Sequence, residues 1–160
     1  MAEIVYLVGD ATDPQGNGPK VIVHVCNDVG GWGRGFVVAL SRRFPEPEAA
    51  YRRWWADRAN NDFVLGAVQF VPVAPELWVA NLIGQHGLGR TRGVPPVRYD
   101  AIQEGLARVA LFAKEHGATV HMPRIGCGLA GGDWTVVERI VKEGLTTQGV
   151  AVTVYDLPVR

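Results

Sequence analysis

The chain has 160 residues, 48% hydrophobic and 20% charged, a size and balance that fit one globular domain spanning residues 1–160 around one core. Lysine plus arginine is 16 and aspartate plus glutamate is 16, so the chain lacks the net basic field behind non-specific DNA or RNA binding, although Arg90, Arg92 and Arg98 make a local basic patch. No stretch reaches the about 18 apolar residues of a membrane span, Met1–Asp10 lacks the basic-then-apolar pattern of a signal peptide, and two cysteines, Cys26 and Cys127, are too few for a disulfide framework or a lone zinc site.

Both cysteines end apolar runs, so two buried, reduced thiols in a cytoplasmic setting are expected. Ile4–Val8 reads as a strand that stops at Gly9-Asp10, and Val21–Cys26 as a nearly unbroken apolar strand of the kind covered on both faces. Four glycines follow between Gly30 and Gly35. Phe36, Val37, Leu40 and Phe44 recur at helical spacing until Pro45 stops that helix, and Glu46–Ala59 reads as a second helix carrying Tyr51, Trp54 and Trp55. Ala67–Val71 and Trp78–Ile83 read as strands, paired as a hairpin around Pro72–Glu76. Gly84–Pro96 is a loop rich in glycine, arginine and proline, of a length that is usually functional or mobile in a compact domain. Tyr99–His116 is an amphipathic helix capped by Gly117, Thr119–Met122 a strand, and Pro123–Gly132 a loop. Trp134–Thr147 reads as the last helix, with Asp133 as its N-cap, and Val150–Leu157 as the last strand. Such alternation predicts an α/β fold: a mixed sheet with helices on both faces and a ligand crevice at the carboxyl ends of its strands.

Two turns carry the chemistry. Bare amides in Asn27-Asp28-Val29-Gly30-Gly31-Trp32-Gly33-Arg34-Gly35, beside a helix N-terminus, suit a phosphate. Met122-Pro123-Arg124-Ile125-Gly126-Cys127-Gly128-Leu129 also follows a strand and precedes a helix, so a pyrophosphate can lie between the two. Neither turn fits a Walker A loop or a dinucleotide fingerprint. Asp10, at a strand end, either caps its own turn or accepts from an exocyclic amine such as that of adenine. His24 is either a hydrogen-bonded core histidine or a functional one; His86 is either a solvent-facing loop residue or a titratable site group; Asp133 is either a cap or a base. Trp54 and Trp55 read as packing residues.

Together these segments resemble the macrodomain family of ADP-ribose binders. The likeness runs from Ile4 to Leu157 and rests on Gly9-Asp10, on Val23-His24-Val25-Cys26-Asn27 with the glycines after it, on Met122–Leu129, and on Val152-Thr153-Val154-Tyr155-Asp156-Leu157. It is greatest to the branch containing the terminal ADP-ribose protein glycohydrolase, and Val23–Tyr51 is also similar to the yeast ADP-ribose-1″-phosphate phosphatase. The resemblance implies a three-layer α/β/α fold with a mixed, mostly parallel sheet. It implies that Asp10 and Ala11 meet the adenine with Tyr155 nearby. Gly33, Arg34 and Gly35, with Ile125, Gly126, Cys127, Gly128 and Leu129, would hold the diphosphate, and Asn27 and Trp32 would face the distal ribose and its reacting C1″. The branch's lysine after the fourth strand is here Gln85, and its acid after Gly-Cys-Gly-Leu is Ala130, with Asp133 the nearest acid. Glutamine cannot form a Schiff base. The implied activity is hydrolysis of ADP-ribose from acidic side chains without a catalytic lysine, with Gln85, Asn27, His86 and Asp133 as candidate catalytic groups. The other readings are a non-catalytic ADP-ribose reader and an ADP-ribose-1″-phosphate phosphatase. The expected partners are ADP-ribose and mono-ADP-ribosylated proteins, with no cofactor, metal or membrane, nucleic acid only as an ADP-ribosylated end, and a monomeric state.

Overall fold

The computed structural model describes residues 3–159; Met1 and Ala2, at the start of the segment read for a leader, and Arg160 lie outside them. Among the described residues six strands make one sheet: β1 Val5–Val8, β2 Lys20–Asn27, β3 Val68–Ala74, β4 Leu77–Gln85, β5 Thr119–Met122 and β6 Val152–Asp156. The helices are α1 Phe36–Arg43, α2 Glu46–Ala56, α3 Tyr99–His116 and α4 Trp134–Gly144. The spatial order is β1-β6-β5-β2-β4-β3. All neighbours run parallel except the β3–β4 hairpin, giving the mixed, mostly parallel sheet expected. The first two strands are not partners: β1 pairs with β6, the last strand of the chain.

Alternation along β2 builds both faces. Val21 and Val23 join Ile102, Leu106, Val109, Val137 and Val141 under α3 and α4. Ile22 and Cys26 join Leu40, Tyr51 and Trp54 under α1 and α2. A strand covered on both sides needs apolar residues at nearly every position, which is why Val21–Cys26 reads as an unbroken run. None of the described helices is long and apolar enough to cross a membrane.

Several boundaries differ from those the sequence suggests. Helix α2 stops at Ala56, and Arg58–Asn60 forms a separate 3-10 turn in which Asn60 Nδ2 donates to Asp57 Oδ1. Helix α4 stops at Gly144, a poor helix residue, and Thr146–Gln148 makes another 3-10 turn. Strand β6 is Val152–Asp156 rather than Val150–Leu157. The hairpin turn is shorter than Pro72–Glu76, because β3 runs on to Ala74. Pro72 sits at a register shift on this edge strand, where a missing N–H is tolerated. The loop after β4 begins at His86, since the strand includes Gly84 and Gln85. Residue Phe44, before Pro45, is extended and ends α1 as expected.

Candidate functional site

A cavity of about 710 Å³ opens at the carboxyl ends of β2, β4 and β5, where the two glycine-rich turns face each other. The first turn contributes Gly31, Trp32, Gly33, Arg34 and Gly35 to its walls, and the second contributes Ile125, Gly126, Gly128, Leu129 and Ala130. The amides of Gly33, Arg34, Gly35, Gly126, Gly128 and Leu129 donate to no protein acceptor among the described residues. Helix α1 starts directly after Gly35 with no acidic residue in its first turn and no side-chain cap. Among the described residues the walls hold two cations, Arg34 and Arg124, and no carboxylate or lysine. Unpaired amides, a helix N-terminus and the guanidinium of Arg34, which has no carboxylate partner among the described residues, select an anion.

The shape of the first turn comes from Asn27. Its Oδ1 accepts from the amides of Val29 (3.0 Å) and Gly31 (2.9 Å) and from the Tyr51 hydroxyl (3.0 Å), while Nδ2 donates to the Gly31 carbonyl (2.8 Å). One buried carboxamide therefore organises the loop. Gly30 is required beneath it: its φ is 79°, and a Cβ there would stand 2.7 Å from the Trp55 ring. Trp54 and Trp55 pack as expected, Trp54 donating to Asp62 and Trp55 lying under Arg58.

Asn27 and Gln85 are brought together by a register shift. Cys26 pairs with Ile83, but Asn27 pairs with Gln85, so Gly84 is the extra residue on β4. This bulge swings Gln85 opposite Asn27 at the cavity floor. Gln85 Nε2 donates to the Gly87 carbonyl at 2.9 Å.

The other candidates lie around the cavity rather than in its walls. Asp10 closes its own turn, accepting at Oδ1 from the amide (2.8 Å) and hydroxyl (2.7 Å) of Thr12. Ala11 is buried beside it. The Tyr155 hydroxyl accepts from the Gln15 amide (2.9 Å) and bonds His121 Nδ1 (2.8 Å), tying the segment after β1 to the sheet. His86 is exposed, with Nδ1 on Asp28 Oδ2 at 2.7 Å. Asp133 caps α4 by accepting from the Thr135 amide at 2.8 Å. Cys127 turns its thiol toward the Ile125 carbonyl. It is half-buried rather than buried, because its loop leaves the core after Gly126, whereas Cys26 is buried as expected. Desolvation raises the pKa of both thiols, so neither is an activated nucleophile.

His24 lines the cavity yet belongs to the core. It bonds Asn81 Oδ1 through Nε2 and packs edge-on against Trp32, and burial lowers its pKa to about 4, so it is neutral near pH 7. Arg124 was not singled out as a site residue from sequence. It lines the cavity, held by Asp156 through Nε (2.7 Å) and Nη2 (3.0 Å), with its guanidinium over the Tyr6 and Trp134 rings. Its position directly after Met122-Pro123 was the available signal, but its anchor is 32 residues away.

No protein-family model matches the chain. A macrodomain protein from Streptomyces coelicolor shares 60% identity with a TM-score of 0.86, over 96% of this chain and 99% of that one. A protein of unknown function from Bacteroides thetaiotaomicron shares 58% identity with a TM-score of 0.94, over 98% and 99%. Chromodomain-helicase-DNA-binding protein 1-like of Mus musculus is 35% identical across 97% of this chain, which spans only 18% of that relative's length. With 60% identity across nearly the whole of both chains to the Streptomyces protein, and a cavity framed by the two turns that carry the likeness, the chain belongs to the macrodomain family.

Proposed function

We propose that this macrodomain binds ADP-ribose and hydrolyses the ester linking it to acidic side chains of proteins, by a route that uses no lysine, in the branch of the terminal ADP-ribose protein glycohydrolase. The observation that carries the reading is the pair of opposed turns whose unpaired amides line an anion-selecting cavity. In this reading Gly33–Gly35 and Ile125–Leu129 hold the diphosphate. Asp10, Ala11 and Tyr155 stand at the adenine end, and Trp32, Asn27 and Gln85 face the distal ribose.

Water attacks C1″, the bond from C1″ to the ester oxygen breaks, and the freed carboxylate departs with the electron pair. A carboxylate of pKa about 4 leaves without a general acid. The water's proton passes to a phosphate oxygen of the substrate. Gln85 orients the water; Asp133 and His86 are already held by the Thr135 amide and by Asp28. A cytoplasmic, monomeric protein acting on mono-ADP-ribosylated proteins is the setting proposed.

A glutamate-linked mono-ADP-ribosylated protein tests this. The wild type is expected to release ADP-ribose, and Gln85→Ala to slow release by about 100-fold while leaving ADP-ribose affinity within about twofold. Equal rates for the two proteins would end the water-orienting role. The hydrogen bonds that tie both carboxamides to their own loops favour a second reading, a non-catalytic reader. Micromolar binding without release of ADP-ribose, or of phosphate from ADP-ribose 1″-phosphate, would select it. The phosphatase reading is weakened by His24, whose burial and Asn81 contact suit a structural group.

A further inference from the structure

The basic segment Arg90–Arg98 is not used by the site described above. Arg98 is structural, its Nη1 donating to the carbonyls of Pro95, Pro96 and Val97. Arg90 and Arg92 differ. Thr91 and Val94 exchange both backbone hydrogen bonds at 3.0 Å, closing a two-residue turn with Arg92 and Gly93 at its tip. Both tip residues have positive φ, 53° and 79°, the geometry of a type I′ hairpin. Arg92 is exposed and has no polar partner among the described residues. Arg90 is exposed too, and its Nη1 donates to the Gly93 carbonyl at 2.9 Å. Its Nη2 lies against Gly131, next to the cavity residue Ala130.

This hairpin is fixed at the cavity mouth. Asp28 holds its entry through the Gly87 amide (2.9 Å) and His86 (2.7 Å), and Val97 donates to the Ala130 carbonyl (3.0 Å) at its exit. Leu88, 65% exposed, lines the cavity beside Gly31. The loop thus touches both glycine turns and borders the Gln85–Asn27 end, where a carrier attached to the distal ribose must leave.

We propose that this hairpin is a docking surface for the modified protein and that Arg90 and Arg92 select an acidic polypeptide around the ADP-ribosylated carboxylate. The proposal rests on the ADP-ribose reading above and goes beyond it by naming the sequence context. Its ground is charge complementarity: two exposed guanidinium groups with no carboxylate partner among the described residues stand beside the exit. Residues flanking the modified one in an extended chain lie about 3.3 Å apart, so neighbours one to three positions away extend about 3–10 Å from the exit.

Synthetic peptides carrying one stably linked ADP-ribose, flanked by glutamates or by glutamines, test this with free ADP-ribose as a separate probe. At low salt the acidic peptide is expected to bind the wild type about 3- to 10-fold more tightly than the neutral one, with the margin shrinking as salt rises. The margin disappears in Arg90→Gln/Arg92→Gln and survives in Arg90→Lys/Arg92→Lys, while free ADP-ribose binds all three proteins alike. Equal binding of the two peptides by the wild type, or a margin that persists in the glutamine variant, overturns the proposal. An ADP-ribosylated oligonucleotide that outbinds the acidic peptide with the same arginine dependence also overturns it, in favour of a nucleic-acid carrier. Failure of free ADP-ribose to bind the wild type removes the underlying reading and the proposal with it.

Discussion

At the scale of single residues, Asn27 shows how a site residue acts through shape. Its carboxamide takes part in four hydrogen bonds, two of them from amides of the turn it precedes. Removing it leaves the Val29 and Gly31 amides short of an acceptor and the Gly31 carbonyl short of a donor, while the Tyr51 hydroxyl keeps the Asn27 backbone carbonyl. Asn27→Ala is therefore expected to cost about 2–4 kcal/mol in urea unfolding and to weaken ADP-ribose binding by disordering the turn. Tyr51→Phe, which keeps the ring but loses the bonds to the Asn27 carbonyl (2.7 Å) and Oδ1, is expected to cost only about 1 kcal/mol. Equal stability of Asn27→Ala and wild type would remove the shaping role. From sequence, the family resemblance implied that Asn27 faces the distal ribose, but its work in the loop was hidden. Tyr51 lies 24 residues away, and the meeting with Gln85 depends on a bulge at Gly84 that no local pattern announces. Asp133 was legible because a cap is a local interaction, read two residues ahead.

At the scale of elements, the strand–turn–helix order was legible because burial on both faces writes itself into β2 and helical spacing into α3. The ends of α2 and α4 were not, since a 3-10 turn continues the same residue types under different hydrogen bonding. The second glycine turn is closed by the Gly132 amide donating to the Gly126 carbonyl at 2.8 Å. A Cβ on Gly132 would stand 2.4 Å from that oxygen, which is backbone and cannot rotate away. Gly132→Ala is expected to push the Gly126–Leu129 amides out of place, costing about 1–3 kcal/mol and at least about tenfold in ADP-ribose affinity. Gly128 has open space where its Cβ would be. Gly128→Ala is then expected to leave the melting temperature unchanged and to weaken only the ligand, because Gly128 lines the cavity. Thermal unfolding with and without ADP-ribose separates the two. A destabilised Gly128→Ala would show that the turn is held otherwise.

At the scale of the whole molecule, the sheet carries two buried histidines, and they link its stability to pH. His24 on β2 and His121 on β5 are each 2% exposed. His121 is held between Thr119 and Tyr155, as His24 is held by Asn81. Burial lowers both pKa values to about 4 from an ordinary 6.5, helped at His121 by the Lys20 charge and opposed at His24 by the Asn81 bond. Above pH 6.5 both histidines are neutral in the folded and unfolded chains, and their contribution to stability is complete. As pH falls from 6.5 toward 4 the unfolded chain takes up protons that the folded one refuses, so this stability is lost. Each histidine is worth about 3 kcal/mol over that window, a large part of an ordinary domain's margin. The lowered carboxylates Asp156, Glu48 and Glu138 work in a separate window, below about pH 4, where protonation breaks their contacts with Arg124, with Arg52 and Ser41, and with Tyr6. Unfolding free energy is thus expected to be flat from pH 8 to 7 and to fall by up to about 2.7 kcal/mol per pH unit between pH 6 and 4.5. His121→Gln, which keeps hydrogen-bonding groups but cannot titrate, should roughly halve that slope, and His24→Gln, on the adjacent strand, should do the same. A flat profile down to pH 5 would mean that both imidazoles accept protons in place, and the neutral core assigned to the strands beneath the cavity would have to be redrawn.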